Sequence, residues 1–337
     1  LPLLQKAAPA ARIVPLYVGH LSPEARSEAA KRLADTLAPG TVLVASSDFT
    51  HYGSGFRFKP FPADGMATAR LHDLDNEVIE AAGSLSVEMF LDTLRRTGAT
   101  VCGYDPISLL LATMRETEGE DEVYQETLDY QTSAEITGDL HSSVSYAALA
   151  YFPYRALELG VDAQAAVLRL ARQTLEAYLS TGRRRAAGLL PSGVPSLARR
   201  AGLFVTLHQD GKLRGCLGRT EAIQSLERAV PELTMSAALE DARFEPVSTS
   251  DTGLEIDVSV LSPLKLVPSR DSFRVNTHGA LLRAKGRHGL LLPQVAPEWN
   301  WTSDEFFRAL ALKAGVKAEV YSDPATRLYV FRAQVIR

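Results

Sequence analysis

Cysteine is almost absent from this chain: 337 residues contain two, Cys102 and Cys216. A pair so far apart cannot form the disulfide framework of a small secreted domain, so each is expected to be a separate thiol in a reducing compartment. Long apolar runs are also missing. No stretch approaches the roughly 18–20 residues that a membrane-spanning helix requires. The chain starts Leu1-Pro2-Leu3-Leu4 without an initiator Met, a basic leader or an apolar leader core, and so reads as a piece of a larger, cytoplasmic protein. Aromatic residues make up only 7%. None interleaves the Arg183-Arg184-Arg185 run, which makes nucleic-acid binding there the weaker expectation.

What is present describes an ordinary globular protein, with 46% hydrophobic and 23% charged residues in a chain long enough for two domains. Residues 1–160 carry 12 basic and 22 acidic side chains, net −10, and residues 161–337 carry 24 and 18, net +6. This asymmetry fits two independent domains, expected at 1–153 and 162–337 around a junction at 154–161. In the first, β-branched runs at 12–18 and 41–47 read as strands buried on both faces. They flank a helix capped by Ser22 with Pro23 at its first position, which predicts a parallel strand-helix-strand unit. Further helices are expected over 66–82, 86–97 and 106–116, and strands over 123–131 and 143–152. In the second, a helix over 161–179 precedes a turn-rich loop at 180–202. Strands at 203–208, 254–261, 279–284, 288–292 and 327–333 then mix with helices at 221–231, 234–239 and 303–314, an α+β pattern.

The 41–47 strand runs into Ser46-Ser47-Asp48-Phe49-Thr50-His51-Tyr52-Gly53. That places Asp48 and His51 beyond the carboxyl end of a strand, where open sheets bind ligands. Asp48, three residues before His51, is suited to orient the imidazole or to share a proton with it. Cys102 precedes Asp105-Pro106, which reads as an N-cap and first helical residue, and a helix N-terminus favours the thiolate. The bland alternative is a commonplace Asp-x-x-His pair and a small packed Cys.

Three ordered motifs sharpen this reading: Ser46 to Gly53, Thr100-Val101-Cys102-Gly103 with Pro106-Ile107, and Ser142-Ser143-Val144-Ser145-Tyr146-Ala147-Ala148. Together they resemble the C-terminal half of the Memo family. That resemblance implies an α/β fold similar to class III extradiol dioxygenases and a mononuclear non-haem metal, iron first, with copper or zinc as alternatives. It assigns Cys102 as a metal ligand, with Asp48 and His51 as the polar pair beside the metal. It also implies that two further ligands lie in an N-terminal half absent from this chain, which is either a second polypeptide or an upstream part of a longer parent chain.

In the second domain, Leu203 to Leu207 reads as a strand, Asp210-Gly211 as a hairpin turn, and Leu213-Arg214-Gly215-Cys216-Leu217-Gly218 as the return strand. The glycines around Cys216 suit close backbone approach or positive φ, in a ligand cradle or a bulge. Arg214 suits a carboxylate or phosphate, and His278 is a candidate base for a Cys216 nucleophile. The plainer reading is a bulged strand with a packed thiol. Asp241-Ala242-Arg243-Phe244-Glu245-Pro246-Val247, Thr277-His278-Gly279, Leu291-Leu292-Pro293-Gln294 and Lys313-Ala314-Gly315 follow in an order that resembles the AMMECR family. The combination is similar to AmmeMemoRadiSam fusions, which implies a radical S-adenosylmethionine protein as partner. Two functions are therefore expected to compete: an iron-dependent oxidoreductase using Cys102, His51 and Asp48, or a non-enzymatic metal-binding or protein-interaction module.

Overall fold

Ser22 accepts the Ala25 N–H at 3.2 Å and caps a helix whose Pro23 occupies the first turn, as the sequence predicts. The computed structural model describes residues 2–119, 123–184 and 193–337. Two units emerge: Leu1–Val78 with Phe90–Thr117 and Gln131–Tyr146, and Ile79–Met89 with Glu118–Tyr130 and Ala147–Arg337. The elements up to residue 153 are helices Pro2–Ala7 (α1), Pro23–Thr36 (α2), Ala67–Gly83 (α3), Val87–Thr97 (α4), Tyr104–Glu118 (α5) and Ser133–Thr137 (α6), with strands His51–Gly53 (β1), Val123–Thr132 (β2) and Ser142–Pro153 (β3). The strands form one sheet in the order β1-β3-β2.

Two expectations are corrected here. Residues 12–18 and 41–47 are not strands, and side chains meant to be buried stand in solvent: Tyr17 is 99% exposed, and Val14 and Val42 are each 79% exposed. A β-branched run gains its stability from ladder hydrogen bonds and burial, and neither segment finds a strand partner among the described residues. The chain enters a ladder only at β1, which is antiparallel to β3 with His51 opposite Val144. The second correction is the start of α5. The Gly103 carbonyl accepts the Ile107 N–H at 3.0 Å, so the helix begins before Asp105, and Asp105-Pro106 lies inside its first turn.

The second unit carries helices Tyr154–Leu157 (α7), Val161–Thr181 (α8), Leu226–Leu239 (α9), Val295–Glu298 (α10) and Ser303–Lys313 (α11). Its strands are Leu203–Gln209 (β4), Lys212–Arg219 (β5), Leu254–Leu261 (β6), Lys265–Val267 (β7), Gly279–Ala284 (β8), Arg287–Leu291 (β9), Arg327–Phe331 (β10) and Ala333–Ile336 (β11). Two antiparallel four-stranded sheets result, β11-β6-β4-β5 and β7-β10-β8-β9. The apolar stripe of α8 (Ala163, Val167, Leu170, Ala171) joins Leu203, Val205 and Leu207 of β4 and Val230 and Ala237 of α9 in one core. Phe306, Phe307 and Leu310 of α11 form a second core against the other sheet, with Phe273 stacked on Phe306 at 4.5 Å between ring centroids.

The expected strand over 327–333 is two strands parted at Arg332. Its carbonyl accepts the Ser262 N–H at 2.9 Å and its N–H donates to Ser262 Oγ at 3.0 Å, so the chain passes from one sheet to the other at this corner. The expected pair of helices over 221–239 is the single helix α9, with Pro231 inside it. Proline has no N–H to donate within the helix, and here its ring is buried. In the turn-rich tract at 180–202, residues 185–192, with Arg185 and Pro191, lie outside the described residues. Arg184 pairs with Glu240, and Arg199 donates to the Leu157 carbonyl at 2.5 Å.

Leu203 is fully buried at the centre of the first core. Leu203→Ala is expected to destabilise this unit by about 2–5 kcal/mol, read as a lowered urea midpoint with unchanged slope.

Candidate functional site

Backbone anchoring builds the first site. Asp75, fully buried, accepts from Thr50 Oγ1 at 2.6 Å and from the Thr50 N–H at 3.3 Å. Thr100 Oγ1 accepts the His51 N–H at 2.8 Å and donates to the His51 carbonyl at 3.0 Å, pinning both backbone groups of one residue. Ser47 Oγ accepts the Gly103 N–H at 2.9 Å. A Cβ on Gly103 would fall 2.5 Å from the Ser47 Cβ, so glycine is what lets the 100–103 segment lie this close to Ser47.

These contacts bring Asp48, His51 and Cys102 together, each offering one donor atom within 4.8 Å of the others. The Asp48 N–H donates to Cys102 Sγ at 3.2 Å. His51 Nε2 stands 3.5 Å from Asp48 Oδ2, beyond good hydrogen-bond length, and it is buried with no hydrogen-bond partner among the described residues. The ring packs on Phe56 at 5.1 Å. A buried, unpartnered imidazole nitrogen facing a thiol and a carboxylate is a donor set that fits a cation, with sulfur, nitrogen and oxygen suited to zinc, iron or copper. The other histidines lie differently. His20 is 81% exposed beside Asp105, His72 bonds Asn76 at 3.0 Å, and His141 is exposed, its N–H donating to Asp139 Oδ1.

The second thiol lies on β5, directly opposite Thr206, whose Oγ1 donates to Cys216 Sγ at 3.3 Å. A register shift after Leu207 leaves Arg214 as the extra, bulged residue. Its guanidinium, expected to hold an external anion, instead holds its own chain: the Glu245 carbonyl at 2.5 Å, the Pro246 carbonyl at 3.3 Å and Asp251 at 3.2 Å. Neither Gly215 nor Gly218 has positive φ. A Cβ at 215 would lie 2.2 Å from the Ala237 carbonyl oxygen, and one at 218 would lie 2.3 Å from that of Leu203, so both glycines serve close backbone packing.

Beyond α9, Asp241 accepts the Cys216 N–H at 2.8 Å and is clasped by Arg243 through Nε at 2.9 Å and Nη2 at 2.7 Å. Arg243, and then the Cys216 and Arg243 backbone N–H groups, hold its carboxyl down at about 2 against the opposing effect of burial. Desolvation and the Arg243 guanidinium lower Lys313, while nearby Cys216 acts in the other direction. The Cys216 thiol thus sits among a hydroxyl, a guanidinium and an ammonium. His278 is fully buried with Nδ1 accepting the Arg274 N–H at 3.1 Å, and it is not among these polar neighbours of Cys216.

Comparison with known proteins now bears on both sites. The AMMECR1 family model matches residues 168–336, half of the chain. The chain belongs to the AMMECR1 family. A Memo-like protein model matches residues 1–150, so the AMMECR1 region follows a Memo-like one. A protein of Methanothermobacter thermautotrophicus is 37% identical over 185 residues, covering 52% of this chain and 95% of that protein. Protein MK0488 of Methanopyrus kandleri is 37% identical over 181 residues, covering 50% and 85%. The crystal structure of uncharacterized protein PH0010 from Pyrococcus horikoshii is 33% identical, covers 50% of this chain and 88% of its own, and has a TM-score of 0.47.

In the AMMECR1 region, sequence reasoning picked out Cys216 but missed Thr206, Asp241, Arg243 and Lys313 as its surroundings. The tracts Asp241 to Val247 and Lys313-Ala314-Gly315 were legible as motifs. Their convergence on one thiol depends on the packing of α9 and α11, which no local pattern reports.

Gly215→Ala is expected to cost about 1–3 kcal/mol through the clash with Ala237, seen as a lower thermal midpoint. Because its folded pKa is depressed, Asp241 contributes stability that is present above the unfolded value near 3.8 and lost as pH falls towards 2. The difference in unfolding free energy between wild type and Asp241→Asn, up to about 2 kcal/mol given the solvent-exposed Arg243 partner, is expected to shrink across that window in urea titrations.

Proposed function

We propose that Asp48, His51 and Cys102 form a mononuclear metal site of an oxidoreductase, iron being its first-choice metal and copper or zinc the alternatives. The observation that carries this reading is His51 Nε2, buried and unpartnered while a thiol and a carboxylate oxygen lie within 4.8 Å. A bound ion would supply Lewis acidity and, if iron or copper, electron transfer. Cys102, bound as thiolate, would give the charge that neutralises the cation, with the Asp48 N–H donating to the same sulfur. His51, fixed through both backbone groups by Thr100, keeps its ring aimed at the same point. Asp48 is about half exposed, so it is suited to exchange between binding the ion and holding a proton for a ligand at the solvent side.

The sequence suggested His51 as a proton carrier oriented by Asp48. The 3.5 Å separation is long for that pair and supports His51 as a ligand. Three ligands leave coordination positions open, the arrangement of catalytic metal sites, whereas a closed four-ligand cage is structural. We further propose that a partner polypeptide covers the exposed apolar segments around Val14 to Tyr17 and Val42 to Val44, adding the strands and ligands implied by the Memo resemblance.

The test is metal content after anaerobic loading with ferrous iron or zinc. Wild type is expected to retain about one ion per chain, while Cys102→Ala and His51→Ala each bind at least tenfold more weakly with unchanged thermal midpoints of the metal-free proteins. Retention of metal by His51→Ala with loss by Cys102→Ala would return His51 to a proton-transfer role. Indifference of both variants would remove the site.

A further inference from the structure

The second unit concentrates positive charge at one hairpin. Strands β8 and β9 are joined by Lys285-Gly286, both with positive φ, a tight two-residue turn. Strand register places Arg327 directly opposite Arg283, and Arg283 directly opposite His288. Three basic side chains therefore lie side by side on one face across β10, β8 and β9. Like charges at directly opposed positions destabilise a sheet, and the common arrangement there is an apolar or oppositely charged pair. The rung two residues further along shows that ordinary arrangement, with Leu266, Tyr329, Leu281 and Leu290 in line.

Lys285 and Arg287 add two more cations at the turn. Among the described residues, the exposed Arg283, Lys285 and Arg287 have no carboxylate within ion-pair distance. Two of the guanidiniums are held in place: Arg283 lies over the Tyr329 ring at 5.2 Å from its centroid, and Arg287 donates to the Gly315 carbonyl at 2.6 Å. Fixed guanidiniums lose little freedom on binding an anion. These side chains line a cavity of about 340 Å³, at the small end of ligand sites. An adjoining depression of about 500 Å³ shares Lys285 and Arg287 but includes Glu319 and Asp323, so positive potential is concentrated on the Arg283 side.

We propose that this hairpin binds a small molecule carrying a chain of two or more phosphate groups. The lining has no Phe, Tyr or Trp and a single imidazole, His288, so cations for phosphates outnumber stacking surfaces for a base. A compact cluster around one turn fits a short oligophosphate better than the extended strip a nucleic-acid backbone requires. Recognition therefore reads the phosphate chain, and a nucleoside attached to it projects into solvent.

Calorimetric titration of the full chain with inorganic tripolyphosphate, ATP and AMP at about 50 mM salt tests this. Tripolyphosphate and ATP are expected to bind with affinities within a few-fold of each other, AMP at least tenfold more weakly, and all more weakly at about 200 mM salt. Arg283→Gln combined with Lys285→Asn, both at exposed positions, is expected to weaken tripolyphosphate at least tenfold while the thermal midpoint holds. Lys285→Asn alone, at the turn tip, provides the same readout at smaller amplitude if the double variant fails to fold. Absence of saturable tripolyphosphate binding up to about 10 mM, or equal affinity in the folded variants, overturns the proposal. Preference for ATP by more than tenfold over tripolyphosphate would show that the base is read, and overturns the phosphate-chain assignment. Tighter binding of a single-stranded RNA oligonucleotide, lost in the same variants, would assign the surface to nucleic acid instead.

Discussion

The AMMECR1 region is organised by how closely helix α9 lies on strand β5. With the Ala237 carbonyl 2.2 Å from where a Cβ would stand at 215, only glycine admits that approach. The consequences run outward from this contact. Helix α9 ends two residues before Asp241, and its depth on the sheet sets where Asp241 meets the Cys216 N–H. β5 is an edge strand, so that outward N–H needs a partner from outside the ladder. Asp241 supplies it and in turn clasps Arg243, which reaches the Cys216 carbonyl at 3.3 Å. A motif that reads as a ligand cradle is first a packing device, and the polar surroundings of its thiol follow from the packing.

The two thiols show how similar contacts to sulfur can lie in opposite electrostatic surroundings. Each accepts a hydrogen bond, Cys102 from the Asp48 N–H and Cys216 from the Thr206 hydroxyl. Around Cys102 the other groups are a carboxylate and an imidazole, which together with a thiolate attract a cation. Around Cys216 they are Arg243 and Lys313, which repel one. The first set is a candidate metal-binding group. The second set has the charge that would suit an anionic group.

Much of this was legible in the sequence, and the failures share one cause. Helix positions follow from local signals such as Ser22-Pro23 and the periodicity of Val161 to Leu179, and the Asp210-Gly211 turn announces its hairpin. The partner of Cys216 was not readable. An unbroken hairpin pairs Thr206 with Gly215 and sets Cys216 against Val205, a core residue, whereas the bulge at Arg214 moves Cys216 opposite Thr206. One extra residue changes which face of the strand carries the thiol. The runs at 12–18 and 41–47 fail for the complementary reason. Their composition is that of strands, but a strand is a relation between two segments, and β propensity describes only one of them. Asp48, His51 and Cys102 were legible as residues. Their convergence required Thr100, Ser47 and Gly103 to bring two distant loops together, and hydroxyl-to-backbone contacts leave no periodic trace.

Charge was the coarsest signal and the most easily misread. The first half of the chain is net acidic and the second net basic, yet neither total identifies a ligand. Screening at physiological salt limits an exposed charge to a reach of about 8–10 Å, so what a ligand senses is the handful of groups within that distance. In the first half, one carboxylate, one thiol and one imidazole make up the candidate site, and the net charge of the other side chains does not report it. In the second, many of the basic groups are already bound: Arg214 to Asp251, Arg219 to Glu232 and Arg243 to Asp241. Excess charge becomes functional only where pairing fails. The β8–β9 hairpin is such a place: strand register opposes Arg327 to Arg283, and among the described residues Arg283, Lys285 and Arg287 form no ion pair.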